Sequence, residues 1–315
     1  MTIQRNLIRH SVLFSVFLLQ VLFTEAGYAQ HNPQKDLIDS GILKAKLGDF
    51  KEAIKDFNRA ISLDSSEAEP YYNRGVVFTE QKEFDKAILD FTKVIQIKPS
   101  YPEPYYNRGL AKDYLKDFKG AISDYSKALA LKEAYPEAYH NRGLAKFDLG
   151  DYTQAEMDFS RAIQYQPAFA EAFYNRGLCR FNLKDLPGSI QDFNQAIRLD
   201  TLQGDYFSSR GAAKAATGSF SDAIHDFSIS IEMNPGEINP RLNKALAFLY
   251  LKQYQDALEE YNQIIERNPA IGEAYANRGV AKQFLGDIPG ACEDWKMAVD
   301  AGSVKAKDYL LKFCH

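Results

Sequence analysis

The chain has no excess of positive charge. Its 38 lysines and arginines face 42 aspartates and glutamates, for a formal net charge of −4, so the basic footprint that binds nucleic-acid phosphates is missing. Nucleic acid is therefore not an expected partner. Cysteine is scarce at three in 315 residues, too few for a disulfide scaffold. Histidine is scarce too: His10, His31 and His315 lie near the termini, while His140 and His225 stand far apart. No HExxH, paired-cysteine zinc spacing, Ser–His–Asp set or glycine-rich phosphate loop occurs. No metal, cofactor or catalytic residue is expected, and the chain reads as a non-enzyme. Long apolar runs are absent after the first residues, and with 45% hydrophobic and 25% charged residues the composition is that of a folded protein.

The one apolar run, Ser11 to Phe23, follows Arg5, Arg9 and His10 and precedes Gly27-Tyr28-Ala29. A basic start, a short apolar core and small residues make a signal peptide, with cleavage expected after Ala29. The run is shorter than the roughly 20 residues a spanning helix needs, and Gln20 interrupts it. No membrane span is expected after cleavage. Loss of residues 1–29 takes away Arg5, Arg9 and Glu25 and moves the formal charge from −4 to about −5. The expected location is periplasmic or secreted.

What is abundant is self-similarity. Gly41, Gly75, Gly109, Gly143, Gly177 and Gly211 follow one another at 34-residue intervals, Gly279 lies two intervals further on, and Ala245 fills the gap. The surroundings recur as well, as Tyr-Asn-Arg-Gly at 72–75, 106–109 and 174–177, His-Asn-Arg-Gly at 140–143 and Ala-Asn-Arg-Gly at 276–279. With the glycine at position 8, residues 30–33 form a short lead segment. Eight units then run over 34–67, 68–101, 102–135, 136–169, 170–203, 204–237, 238–271 and 272–305, with a tail over 306–315.

Position 4 carries Tyr71, Tyr105, Tyr139, Phe173, Phe207 and Tyr275, and position 20 carries alanine in every unit but the fifth, which has Ser189. Position 24 is Phe or Tyr until Trp295, and Pro99, Pro167, Pro235 and Pro269 stand at position 32. Small residues at 8 and 20 allow two antiparallel helices to approach, and the rings at 4, 17 and 24 fill the space around that contact. Turns such as Gly48-Asp49-Phe50, Lys116-Asp117-Phe118 and Gly150-Asp151-Tyr152 separate the helices, with the aspartate placed to cap the second one. This pattern resembles the tetratricopeptide repeat along almost the whole mature chain. The resemblance implies an all-α fold, a right-handed α-solenoid of helix-turn-helix repeats whose stacked hairpins share a core and leave a concave groove. Val304 to Cys314 reads as a capping helix, with Val304, Tyr309, Leu310 and Phe313 available to cover the end of the stack.

Two polar columns run through the repeats. Position 7 is Arg74, Arg108, Arg142, Arg176, Arg210 and Arg278 with Lys244, and position 23 is acidic in every unit from Asp56 to Asp294. Because the first unit has Ser40 at position 7, each arginine is expected to reach back to the preceding unit, as Asp56–Arg74 and Asp90–Arg108. Position 6 is Asn73, Asn107, Asn141, Asn175, Asn243 and Asn277. Asparagine is a mediocre helix former, so the column bonds either within the stack or to the backbone of a bound peptide. It resembles the asparagine ladder of the O-GlcNAc transferase superhelix, which implies peptide binding. Position 5 adds Tyr72, Tyr106, His140 and Tyr174, as groove rings or as padding of the joints, and acids at position 2 favour basic groups. The family's carboxylate clamp needs a lysine and an asparagine where this chain has Ile38 and Ile42.

Cys292 and Cys314 lie where a bridge would staple the cap, and spacing leaves that bridge open against two free thiols. Cys179 sits at a small-residue core position. The expected function is a scaffold binding an extended peptide or partner protein in its groove. The alternative is an architectural subunit of a cell-envelope assembly that uses the convex face.

Overall fold

The computed structural model describes residues 32–314, so the signal segment at 1–29 lies outside the described residues. Among these there are seventeen helices and no strand. They form two compact units that divide between Pro167 and Ala168. The first holds α1 (Pro33–Lys46), α2 (Phe50–Leu63), α3 (Glu69–Glu80), α4 (Phe84–Ile97), α5 (Pro102–Tyr114), α6 (Phe118–Leu131), α7 (Pro136–Asp148) and α8 (Tyr152–Tyr165). The second holds α9 (Ala170–Asn182), α10 (Leu186–Leu199), α11 (Gly204–Ala216), α12 (Phe220–Met233), α13 (Ile238–Tyr250), α14 (Tyr254–Arg267), α15 (Gly272–Phe284), α16 (Ile288–Asp300) and α17 (Val304–Phe313).

Within each unit, odd and even helices pair as hairpins, and each hairpin packs on the next, which is the tandem packing of an α-solenoid. Consecutive first helices (α3 with α5, α5 with α7, α11 with α13, α13 with α15) touch, whereas consecutive second helices do not meet to that extent. The first helices therefore line the narrower, inner side of each unit.

The turns follow from local chemistry. At position 15 of every repeat the backbone is left-handed, through Gly48, Gly150, Gly218 and Gly286 in four repeats and Lys82, Lys116, Lys184 and Lys252 in the others. Glycine reaches that conformation without steric cost and lysine does not. At the next residue, the Asp49, Asp117, Asp151, Asp185 and Asp287 carboxylates accept from the backbone N–H of Glu52, Gly120, Gln154, Gly188 and Gly290, capping the second helix.

The core repeats as well. The alanine at position 20 and the ring at position 24 are fully buried in hairpin after hairpin, as in Ala155 with Phe159 and Ala291 with Trp295. Each such ring contributes roughly 1.5–3 kcal/mol by leaving water. The glycine at position 8 faces this ring rather than the alanine. A Cβ placed on Gly143 would lie 2.8 Å from Phe159 Cε1, and one on Gly279 2.5 Å from Trp295 Nε1. At the C-terminal end Tyr309 and Phe313 pack on Trp295 at ring distances of 5.2 and 5.7 Å. Val304 does not join them; it is exposed, and Ala306 occupies the buried place on α17. Cys292 and Cys314 are joined by a disulfide with a Cα–Cα distance of 5.8 Å, while Cys179 is a buried free thiol.

Candidate functional site

Three columns of first-helix side chains decide what each repeat presents. In the column at position 7, the guanidinium of Arg108 donates from Nε and Nη2 to both oxygens of Asp124, at 2.8 and 2.6 Å. Arg74 does the same to Asp90, Arg142 to Asp158, Arg210 to Asp226 and Arg278 to Asp294. The expected pairing Asp56–Arg74 is therefore corrected. The bidentate pair joins the two helices of one hairpin, because position 23 faces position 7 of its own repeat. What reaches the preceding repeat is the remaining Nη1, which donates from Arg108 to Thr92, from Arg142 to Ser126 and from Arg210 to Asn194 at 2.9, 2.9 and 2.7 Å.

A lysine or arginine at position 11 completes the cluster in six repeats, Phe78 and Phe248 standing there in the second and seventh; the column was legible in the sequence, but its role was not. Lys112, Lys146 and Lys214 lie 2.7, 2.7 and 2.8 Å from their aspartates. In the first hairpin Lys44 and Ser40 hold Asp56, and in the seventh Arg241 and Lys244 hold Glu260. The position-4 ring lies beside the arginine, as Tyr139 at 5.5 Å from the Arg142 guanidinium carbon. These arginines are occupied and partly buried.

Desolvation shows where the second cation is missing. Asp90, whose repeat has Phe78 at position 11, has its proton affinity raised by burial in spite of the Arg74 bond. Asp56 goes the other way: burial opposes the charge, but the Lys44 and Ser40 hydrogen bonds prevail and lower it.

The columns at positions 5 and 6 interlock. Asn107 Nδ2 donates to the Tyr72 hydroxyl at 3.0 Å and Asn141 Nδ2 to the Tyr106 hydroxyl at 2.8 Å, each asparagine bonding to the ring of the preceding repeat. Tyr174 and Ser209 repeat the link at 3.3 Å. Tyr106, His140, Tyr174 and Asn175 are buried, and so are Asn107 and Asn243. Of these six buried side chains, Tyr106, Asn107 and Tyr174 bond across a joint between repeats. Tyr72, Asn73, Asn141 and Asn277 keep part of their surface on the inner side. Burial raises the Tyr72, Tyr106 and Tyr174 hydroxyls above the ordinary phenol range and depresses His140 to about 4.

The rest of the inner surface is acidic and aromatic. Tyr101 packs on Tyr72 and Tyr135 on Tyr106, with ring centroids 5.8 and 4.9 Å apart, next to Glu69, Glu103 and Glu137. No group of three or more His, Cys, Asp or Glu among the described residues is arranged to hold a metal ion. None of the described helices is long and apolar enough to cross a membrane.

Comparison with known proteins accords with this geometry. Three tetratricopeptide-repeat models match the sequence, one over residues 140–203 and 242–282, one over 43–82 and 114–150, and one over 68–101. Together they take in more than half of the chain. No curated relative matches it. Solved structures of similar fold include MamA (41-end) from Desulfovibrio magneticus RS-1, at 22% identity and TM-score 0.52, covering 54% of this chain and 96% of that one. Another is YrrB, described as a TPR protein with an unusual peptide-binding site, at 21% identity and TM-score 0.53, covering 58% and 95%. A third is a tetratricopeptide repeat protein from Parabacteroides merdae, at 19% identity and TM-score 0.57, covering 78% and 98%. With helical hairpins of one length and one turn chemistry in both units, and sequence matches over most of them, the chain belongs to the tetratricopeptide repeat family.

Proposed function

We propose that this chain is a non-enzymatic scaffold that holds an extended peptide or a partner protein against the inner side of its first helices. Proteins of this family generally serve as protein-interaction scaffolds, and the YrrB relative is described by its peptide-binding site. The observation that carries the reading is the inner stripe itself. Asn73 and Asn141 in the first unit and Asn277 in the second hold the same repeat position on their first helices, part-exposed as is Tyr72, with amides that donate and accept toward a peptide backbone. The buried asparagines and rings hold that stripe in register through their bonds across the joints.

Photo-cross-linking residues introduced at Asn73, Asn141 and Asn277 test the reading against Leu89 and Met157, which are exposed on second helices. Adducts from the first set and none from the second are expected. Adducts confined to Leu89 and Met157 would replace the groove by the architectural alternative.

We also infer export to the periplasm or the cell exterior. The basic, apolar and small-residue order of the first 29 residues supports it, and the Cys292–Cys314 bridge suits an oxidising compartment. The mature protein should begin at Gln30 on N-terminal sequencing, and a chain that still begins at Met1 would refute export by this route.

A further inference from the structure

Positions 2, 5, 6, 9, 12 and 13 of a first helix fall within one sector of about 120° at 3.6 residues per turn. In α3, α5 and α7 those positions include Glu69, Glu80, Glu103, Asp113, Glu137 and Asp148, and neither lysine nor arginine. The histidine among them, His140, is buried and neutral at pH 7 because burial disfavours its charged form. The side chains of this sector in α3, α5 and α7 are thus acidic or uncharged, whereas the arginines face the opposite way into their own hairpins.

The acids are interleaved with phenol rings in a repeating order. Glu69, Tyr72, Tyr101 and Glu103 form one set, and Glu103, Tyr106, Tyr135 and Glu137 form the next, one repeat along. The second set already holds a cation supplied by the chain. Lys132 places its ammonium 4.3 Å from the centroid of the Tyr135 ring and 3.9 Å from Glu103 Oε1. The other oxygen of Glu103, Oε2, is buried with no hydrogen-bond partner in the structure. One repeat earlier, Lys98 takes the place of Lys132 in sequence but is exposed and makes no ion pair among the described residues. The first set has the rings and carboxylates of the second but no ammonium over Tyr72 or Tyr101 among the described residues; its Glu69 pairs with the exposed ammonium of Lys35 at 3.4 Å. A ring face and two carboxylates together favour a cation, and the part-exposed Tyr101 and Glu69 leave the set open on the inner side.

We propose that Glu69, Tyr72, Tyr101 and Glu103 form a box for the ammonium or guanidinium of a lysine or arginine side chain, carried by an extended basic peptide lying along the inner stripe. This rests on the scaffold reading above and names the chemistry of the partner. An extended strand turns alternate side chains to one side, so the cation enters the box while the backbone meets the part-exposed amides of Asn73 and Asn141.

The test measures fluorescence anisotropy of a labelled peptide of alternating glycine and lysine, and of its glutamate counterpart, with the full mature chain at about 0.15 M salt. The lysine peptide is expected to bind and the glutamate peptide not to. The double variant Glu69→Gln with Glu103→Gln should weaken the lysine peptide at least ~10-fold, and Tyr101→Leu about 3-fold. A charge-matched control on second helices, Glu52→Gln with Asp85→Asn, should change it less than ~2-fold. Equal weakening by the two double variants would show general attraction to an acidic protein and overturn the box. So would an unchanged affinity in the inner double variant, or failure of the wild-type chain to bind the lysine peptide. If the box fails while cross-links at Asn73 and Asn141 persist, the scaffold reading stands; if those cross-links are absent too, both fall.

Discussion

At the scale of single residues, the same backbone position can carry a comfortable or a strained side chain. Lys116 and Lys184 hold φ of 63° and 68°, where their counterparts are Gly150 and Gly218. Nothing lies within 4 Å of a Cβ built on those glycines, so the lysines are disfavoured by local backbone sterics and not by neighbours. Lys116→Gly and Lys184→Gly should each stabilise the chain by about 1 kcal/mol in urea denaturation; a loss of stability would show that these side chains make contacts that outweigh the strain. His140 gives the pH dependence. Its affinity for a proton is depressed by burial from 6.5 in the unfolded chain to about 4, so its contribution is complete above pH 6.5 and is lost as pH falls toward 4. At pH 5 the cost relative to neutral pH is about 2 kcal/mol. His140→Phe should flatten the fall of Tm between pH 7 and 5, and an unchanged slope would assign that fall to other groups. The sequence showed this histidine as the odd member of a tyrosine column, but its burial came only from the packing of α7.

At the scale of the hairpin, the buried ion cluster fixes how the two helices face each other. Asp158 is held by Arg142 and by Lys146, whereas Asp90 has Arg74 and, in place of a lysine, Phe78. Removing one partner from a buried pair leaves an uncompensated charge. Arg142→Met leaves Asp158 with Lys146, and Arg74→Met leaves Asp90 with no cation partner. Arg74→Met should therefore destabilise the chain more than Arg142→Met, by roughly 1–2 kcal/mol after allowing for part exposure of both arginines. Equal losses in chemical denaturation would mean that the position-11 lysine contributes nothing to the cluster. The residue types of this ladder were legible in the sequence, but their pairing was not. An arginine at position 7 has one repeat behind it and its own second helix in front. Only the hairpin geometry shows that the carboxylate is in front and that a single N–H goes back.

At the scale of the whole molecule, a stack of repeats must close its last apolar face, and α17 does so with Tyr309 and Phe313 over Trp295. The Cys292–Cys314 bridge ties that cap down. Opening it frees a loop spanning 22 residues in sequence, which in the chain-entropy view costs about 3 kcal/mol. Trp295 is the single tryptophan, so its emission reports the cap directly. Reduction, or Cys292→Ser, should shift that emission to the red and lower the Tm; an unmoved spectrum and Tm would show that ring packing alone holds the cap. The 34-residue period, the turn chemistry and the small and aromatic core positions by themselves determined the fold class, because helix-pair packing is a local consequence of side-chain size and spacing. Which carboxylate meets which arginine, and whether a recurring asparagine is buried in a joint or left facing inward, was decided only by the tertiary structure. Those outcomes depend on how one hairpin sits on the next, and the period is the same whichever way they turn.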